Sequence, residues 1–421
     1  MRRASEPTRV LFVAWAGPDA GYLESLFLPT FARLADHGFA FRVIQFGWGP
    51  PNGSQRAADR FAIPYRRVRV HQRLKVAGAA EAVLRGAAVL RRALTGVDIL
   101  MPRAIPPAAM ARLARRPDTR VLFDADGLVA DERVDFAGWS PSSPMTLAYR
   151  AVEAGAVRDA DAVVTRTRAA RDILLARAGA GTDPRKVFPI PNGIDEDVFR
   201  PADEGERRRA RAALSLDPNA FVVVHVGSLG PQYYPAAMLR FFRALRQRRD
   251  DARLVLLTAH RQVAERAVAD AGVDPRSVRI ERVPPSEVPA RLAAADLGLA
   301  LRQASFSQRG VSPIKVGEYL LSGLPVLATR GVGDLDRQLG TGAVGLLLDG
   351  VEDRRLEAAV AWALREVAPN PAPWRLRCRR VGVAEFGLAG CARRLAEALR
   401  FARGEGRAEA SSGLADVGSG C

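Results

Sequence analysis

A chain of 421 residues is longer than one hydrophobic core usually serves, and with 48% hydrophobic residues it should fold as two domains of roughly 150–200 residues each. No apolar run approaches the roughly 18–20 residues of a membrane-crossing helix. Three cysteines without a C-x-x-C pair, Cys378, Cys391 and Cys421, argue against a disulfide framework or a zinc site and for a reducing, cytoplasmic setting.

The net charge of +17 comes from 63 basic residues, all arginine except Lys75, Lys186 and Lys315, so arginine abundance as such carries little functional meaning. Val10 to Ala16 stops at Gly17-Pro18-Asp19 and reads as a buried strand, not a signal peptide. It opens a series of short apolar runs separated by helix-like segments: Val10–Ala14, Phe41–Phe46, Ile99–Met101, Val121–Phe123, Ala162–Thr165 and Val187–Ile190. Between the second and third runs, residues 60–92 carry nine basic side chains against the single acid Glu81, which favours an anionic partner such as lipid head groups or a phosphorylated acceptor. Little aromatic interleaving and the lack of a recognisable motif argue against nucleic acid. Arg66, Arg67, Arg69, Arg73 and Lys75 precede the stretch Ala79–Leu94. There Glu81, Arg85 and Arg92 share one helical face, and Val83, Leu90 and Leu94 lie near the opposite one. Salt-reversible, peripheral binding to an anionic membrane is the expectation, with an acceptor-phosphate site or a solvated face as alternatives.

Phe188-Pro-Ile-Pro-Asn-Gly-Ile-Asp-Glu-Asp-Val-Phe-Arg-Pro201 contains a turn sequence and reads as the junction. A second series follows, with Phe221–Val226, Leu254–Leu257, Val278–Ile280, Leu297–Leu301, Val326–Ala328 and Gly345–Leu348. Strands alternating with helices imply parallel sheets, and two series imply an α/β protein of two Rossmann-like, doubly wound domains. The expected division is 1–190, a linker at 191–201, 202–388, a helix at 389–403 that packs back on the first domain, and a disordered tail at 404–421. Ligands of such sheets bind beyond the carboxyl ends of the strands, so the site is expected in a cleft between the domains.

The most informative segment is Ser305-Phe-Ser-Gln-Arg-Gly-Val-Ser-Pro-Ile-Lys-Val-Gly-Glu-Tyr-Leu-Leu-Ser-Gly-Leu-Pro-Val326. Ser312 suits an N-cap and Pro313 a first helical position, so a helix should start there with free amides that attract phosphate. Lys315 adds a full positive charge in the first turn. Glu318, three residues on, shares its face and suits ribose hydroxyls.

This segment resembles the GT4-type glycosyltransferases, in particular a branch with an S-P-x-K-x-G-E-Y-L-x-x-G-L-P-V pattern. The resemblance continues in order through Asp124-Ala-Asp-Gly-Leu128, Asp131-Glu-Arg-Val-Asp135, Pro191-Asn-Gly-Ile-Asp195 with Phe199-Arg-Pro201, Val226-Gly-Ser-Leu-Gly230 and Gly331-Val-Gly-Asp334. It implies the GT-B fold and retaining transfer from a nucleotide diphosphate sugar, without a metal or other cofactor, to a glycan or lipid-linked acceptor in cell-surface polysaccharide or glycolipid assembly. The donor-binding residues it implies are Gly17, Gly227, Ser228, Ser312, Lys315, Glu318, Gly331 and Gly333. Arg103, Asp126, Glu132 and Arg133 fall on the acceptor side, and Asp126, Lys315 and Glu318 are the catalytic candidates.

Three departures accompany it. Gly310 stands where the family's first glutamate should be, eight positions before Glu318. Ser228 and Tyr233 occupy the loop that commonly offers an Arg and a Lys to the diphosphate, leaving Lys315, helix amides and Arg302 or Arg309 to neutralise it. Asp126 stands where many members have histidine, and His37, His71, His225 and His260 read as structural. Asp124-Ala125-Asp126 spells the D-x-D of a different metal-dependent glycosyltransferase fold, but without a second acidic cluster it is not read as a metal site. Gly17 and Gly21 either open backbone amides to a phosphate or simply shape a turn. A nucleotide-sugar 2-epimerase of the same fold and a catalytically silent polyanion-binding protein are the rival readings.

Overall fold

The computed structural model describes residues 6–17, 21–50, 53–70 and 76–405. Pro18 and Asp19, His71, Arg73, Lys75, Cys421 and the tail from residue 406 lie outside the described residues.

Two compact units are present, one formed by residues 1–191 with 391–421 and the other by residues 192–390. In the first unit the strands are β1 (Thr8–Ala16), β2 (Phe39–Gly47), β3 (Tyr65–Arg69), β4 (Ile99–Pro102), β5 (Arg120–Asp126), β6 (Ala162–Thr165) and β7 (Val187–Pro189). They form one sheet in the order β3-β2-β1-β4-β5-β6-β7. The second unit holds β8 (Val222–Val226), β9 (Arg253–Leu257), β10 (Val278–Glu281), β11 (Leu297–Ala300), β12 (Val326–Thr329) and β13 (Gly345–Leu348), in the order β10-β9-β8-β11-β12-β13. All pairings are parallel. Both faces of a parallel sheet are covered by helices, and the central strands are therefore continuously apolar: Val222 to Val224, Leu254 to Leu257 and Val326 to Ala328 are all buried. In each sheet the strand order reverses once, between β1 and β4 and between β8 and β11. A crevice opens at the carboxyl ends of those pairs, and these two places are where ligands of doubly wound sheets bind.

One strand was invisible in the sequence. Tyr-Arg-Arg-Val-Arg at 65–69 has no apolar alternation, yet it pairs with β2 from Val43↔Tyr65 to Gly47↔Arg69 as the sheet edge. Charged side chains on an edge deter pairing with another chain, so this composition is a property of the position. The membrane reading changes accordingly. Arg67 is not a surface charge awaiting a lipid, because its Nη2 donates to the carbonyls of Trp48 (3.0 Å), Gly49 (2.8 Å) and Pro50 (3.3 Å). The helix Val76–Ala93 and the residue after it direct Leu90 and Leu94 into the core, with Val83 packed against it. The apolar face of that helix is thus spent on packing, while Arg66, Arg69, Arg85, Arg91 and Arg92 stay exposed.

Residues 192–201 belong to the second unit and are fastened to it. Arg379, from the helix Pro371–Phe386, donates to the carbonyls of Phe199 (2.6 Å) and Glu196 (2.8 Å), and Ile194 N–H donates to Phe386 O (2.8 Å). The same helix packs on the helix Ile314–Leu321 at a distance only glycine permits. A Cβ on Gly382 would lie 2.7 Å from Leu321 N and 2.8 Å from Leu320 C, both backbone atoms that cannot step aside. Gly382→Ala is expected to destabilise the second unit by about 1–3 kcal/mol through overpacking. Gly390→Ala, with nothing within 4 Å of its added methyl, should be neutral or slightly stabilising. Parallel thermal melts of the two variants check this, and equal melting temperatures would refute it.

Candidate active site

In the second unit β8 ends at Val226, whose N–H is held by the buried Tyr319 hydroxyl (2.9 Å). The chain then turns through Gly227 at φ 103°, a conformation L side chains rarely adopt, and passes so close to Lys315 that a Cβ there would lie 3.7 Å from Nζ. The following loop is laced to the segment after β11: Tyr234 N–H donates to Leu301 O (3.2 Å), Gln303 N–H to Gln232 O (2.9 Å), and Tyr233 and Arg302 form a bridge. This lacing puts the Tyr233 ring under two cations, 4.6 Å from the Arg302 guanidinium and 4.0 Å from Lys315 Nζ. Arg302 also donates to Tyr233 Oη (2.8 Å) and to Gln308 Oε1 (2.7 Å).

Lys315 and Arg302 are both buried, at 6% and 8% exposure, and among the described residues neither has a carboxylate within ion-pair distance. Burial, then the Arg302 charge, holds the Lys315 amine well below its ordinary range, with Glu318 acting in the opposite sense. Leaving two cations buried without an anion is costly. A bound anion removes the cost, and two further donors are at hand in the buried Gln308 Nε2 and Ser312 Oγ, neither of which has a partner. The Gln308 amide orientation is fixed chemically, since Arg302 can only donate and must face the oxygen.

The donor-side expectations meet mixed outcomes. Gly227, Ser228 and Lys315 come together, with Ser228 O 3.2 Å from His225 Nε2 and Lys315 Nζ 3.5 Å from the same nitrogen. Ser312 is not the N-cap: the helix starts at Ile314, Pro313 occupies the cap position with φ −70° and ψ 110°, and no side chain caps it. Pro313 itself takes a non-helical ψ, so the helix starts one residue later than expected and Ser312 lies one position before the cap. Its carbonyl instead accepts from Asn192 Nδ2 (3.1 Å). Gly331 (φ 74°) and Gly333 (φ 54°) shape their loop, but their amides are engaged, by Asp336 Oδ2 (2.9 Å) and Gln308 O (2.8 Å), and are not open to a phosphate. Arg309 is exposed, its guanidinium over the Phe306 ring.

Glu318 sits half-buried on the same helix as Lys315, and burial pushes its carboxyl up to about 7 against the pull of Lys315. Only the ionised form offers both oxygens as acceptors to the two hydroxyls of a diol, in bonds of the stronger, charge-assisted kind. Below about pH 7 the carboxyl is protonated, so affinity for a ribose-bearing ligand is expected to fall as pH drops through that value. Dissociation constants measured from pH 5.5 to 8 check this, and Glu318→Gln should flatten the acid limb. A wild-type constant unchanged below pH 7 would rule it out.

In the first unit the side chains at the switch point are Arg103 after β4, Asp126 at the end of β5 and Arg166 after β6. Arg103 Nη2 lies 2.5 Å from Asp126 Oδ2, and Arg166 binds both oxygens of the fully buried Asp124 (2.7 and 2.8 Å) while its Nε lies 3.4 Å from Asp126 Oδ1. Asp126 (φ 62°) and Ala104 (φ 62°) both carry positive-φ backbone here, of the kind that concentrates at functional sites. Burial alone would raise the Asp126 carboxyl, but Arg103 and Arg166 hold it below the usual range, so it serves as a fixed carboxylate and not as an acid. The D-x-D carboxylates thus face two guanidinium groups. Among the described residues no group of three or more His, Cys, Asp or Glu side chains is arranged to hold a metal. Arg103 lies 5.0 Å from the Phe27 ring and 5.8 Å from that of Tyr22, which is half exposed. Gly17 is a shape requirement, since a Cβ would meet Trp48 Cζ2 at 2.9 Å. Glu132 and Arg133 lie on the next helix, Val129–Phe136, whose Asp131 turns inward to Arg150 and Arg177, each at 2.7 Å.

Four residues at these sites escaped the sequence reading: Arg166, Gln308, and the part played by His225 and Tyr233. Two of them had a usable signal, because Arg166 directly follows β6 and His225 is the penultimate residue of β8, at the carboxyl ends of strands.

Residues 24–193 match the model of the glycosyl transferase 4-like domain, and residues 206–374 that of glycosyl transferases group 1. A D-inositol 3-phosphate glycosyltransferase of Segniliparus rotundus is 29% identical over 242 residues, 55% of this chain and 49% of the relative. A GDP-mannose-dependent alpha-(1-6)-phosphatidylinositol monomannoside mannosyltransferase of Mycolicibacterium smegmatis is 28% identical over 296 residues, 66% of this chain and 73% of that one. The chain spans about half the length of the Segniliparus relative and of other curated relatives that bear the same name. Among solved structures, HepE of Anabaena in complex with UDP and glucose superposes with a TM-score of 0.69 at 16% identity, covering 93% of this chain and 99% of that one. No helix among the described residues is long and apolar enough to cross a membrane.

Proposed function

We propose, for a chain that belongs to the GT-B glycosyltransferases, that it transfers a sugar from a nucleotide diphosphate donor to a glycan or lipid-linked acceptor with retention of anomeric configuration. The observation that carries this reading is the pair of buried basic side chains, Lys315 and Arg302, without a carboxylate partner at the switch point of the second sheet, beside Gly227. Breaking the bond between an anomeric carbon and a diphosphate leaves negative charge on the phosphate, and fixed cations in a dry site stabilise that charge most strongly. Glu318 would receive the ribose hydroxyls, and the departing phosphate the proton of the incoming hydroxyl. Asp126, held ionised by Arg103 and Arg166, would orient the acceptor. The inositol and phosphatidylinositol glycosyltransferases among the relatives support an acceptor of cell-surface glycan or glycolipid type.

The test is a thermal-shift screen of nucleotide sugars, followed by mass spectrometry of products formed with glycan and lipid-linked acceptors. Free epimer formed from donor alone would replace this reading with the 2-epimerase, and tight, steeply salt-dependent polyanion binding without any nucleotide response would replace it with a binding protein. No resident metal enters the reading. The D-x-D carboxylates are already matched by Arg103 and Arg166, so turnover is expected to survive excess EDTA; loss of turnover with rescue by manganese would contradict it.

A further inference from the structure

His225 lies directly under the Gly227 turn, fully buried, and its ring meets three polar atoms. Nδ1 is 3.3 Å from Leu299 O, Nε2 is 3.2 Å from Ser228 O, and Nε2 is 3.5 Å from Lys315 Nζ. Burial, followed by the Lys315 charge, pushes the imidazole down to about 3, so near neutral pH it carries one N–H and one lone pair. With the proton on Nδ1, Leu299 O receives it and the Nε2 lone pair is left to accept a hydrogen from Lys315. With the proton on Nε2, Ser228 O receives it, the Nδ1 lone pair faces Leu299 O, and Lys315 loses its acceptor. Each tautomer leaves one carbonyl facing a lone pair, and a lysine ammonium, which can only donate, decides for the first.

The surroundings of Lys315 do not favour a second full charge. Arg302, after β11, is a permanent cation on the same Tyr233 ring. On the lysine's own helix Glu318 stands beyond ion-pair distance, and the Tyr319 hydroxyl is committed to Val226 N–H (2.9 Å). His260 faces the same loop from the start of the helix Arg261–Asp270, its Nδ1 3.4 Å from Ser228 Oγ, and is exposed.

We propose that His225 is a positioning residue for Lys315, its Nε2 lone pair holding the lysine nitrogen over Tyr233, and that this nitrogen takes up a proton from solvent as a nucleoside diphosphate binds. The inference rests on the reading that Lys315 meets the diphosphate, and it adds the charge state in which Lys315 waits. Without the anion, Arg302 stands beside an amine whose burial and cationic neighbour disfavour its charged form. With the anion present, the ammonium is stabilised, one hydrogen pointing to His225 and the others towards phosphate oxygens. Affinity therefore falls as pH rises, on the alkaline side of the limb set by Glu318.

Titration calorimetry with UDP and with GDP at pH 8, in HEPES and in Tris, reads the proton count, because the two buffers differ in ionisation enthalpy and neither carries a phosphate. Glu318 is largely ionised there, and the same count on Glu318→Gln separates its protons from those of Lys315. An uptake of about one proton per diphosphate is expected. His225→Phe should move the alkaline fall in affinity about one pH unit lower, and His225→Gln, which restores an acceptor near Nε2, should return most of it. Equal heats in the two buffers from pH 7.5 to 9, or an alkaline limb identical in wild type and His225→Phe, would overturn the proposal and leave the donor site standing. Binding of neither nucleotide would overturn both. Should His225→Phe fail to fold, the proton count on the wild type and on His225→Gln still decides.

Discussion

Replacing Lys315 with methionine is expected to weaken nucleoside diphosphate binding by about 10- to 150-fold, the equivalent of the roughly 1.5–3 kcal/mol of a charge-assisted hydrogen bond. Methionine fills similar space over the Tyr233 ring, so the loss would report the charge. It would also remove a buried polar nitrogen that has no ion partner in the ligand-free protein. The melting temperature should consequently hold or rise while binding falls, a combination that a misfolded variant cannot produce. Lys315→Arg should not rescue binding, because a planar guanidinium does not fit where a compact ammonium lies 4.0 Å over one ring and 3.5 Å from another. Wild-type binding by the methionine variant would remove Lys315 from the site.

The largest effect on stability is expected from Asp124→Ala. Asp124 is fully buried and takes both of its strong bonds from Arg166, itself 8% exposed. Removing the carboxylate leaves a buried guanidinium with only the 3.4 Å approach of Asp126, and breaking such a pair typically costs about 3–5 kcal/mol. For a unit of this size the melting temperature should drop by about 10 °C. Asp124→Leu combined with Arg166→Met, which removes both charges, should recover much of the loss. A single variant with the wild-type melting temperature would mean that the pair contributes little.

Much of this molecule was legible in its sequence because a parallel sheet buried on both faces must be written in apolar runs. Twelve such runs, from Val10–Ala14 to Gly345–Leu348, all became strands. The edge strand Tyr65–Arg69 was not legible, since an edge needs charge more than it needs an apolar face. At the donor site, Lys315, Glu318, Gly227 and Ser228 could be named from pattern, because a first-turn cation, a carboxylate three residues on and a glycine turn are local features. The Arg302, Tyr233, Gln308 and His225 network was not readable in the same way. It depends on the loop after β8 being laced to the segment after β11, residues about 70 positions apart in sequence, as the 69-residue separation of Arg302 and Tyr233 illustrates. The N-cap failed because Pro313 takes the cap position with an extended ψ instead of entering the helix, which a Ser-Pro pair does not fix, since Ser143 before Pro144 does cap its helix.

The helix Leu388–Ala402 carries a consequence for how the protein is made. From Cys391 onward the chain belongs to the first unit: Arg400 donates to His37 O (3.3 Å), Arg403 to Thr8 Oγ1 (2.8 Å), and Phe401 packs edge-on against Phe188 (5.5 Å). On a ribosome, residues 1–191 emerge first yet lack this covering until some 200 further residues have been synthesised, and at roughly 5–20 residues per second that is a wait of about 10–40 s. The second unit, contiguous from Asn192 to Gly390, is under no such delay. The later half of the message therefore encodes the part that can complete itself first, and the amino-terminal half is finished by the helix that comes last.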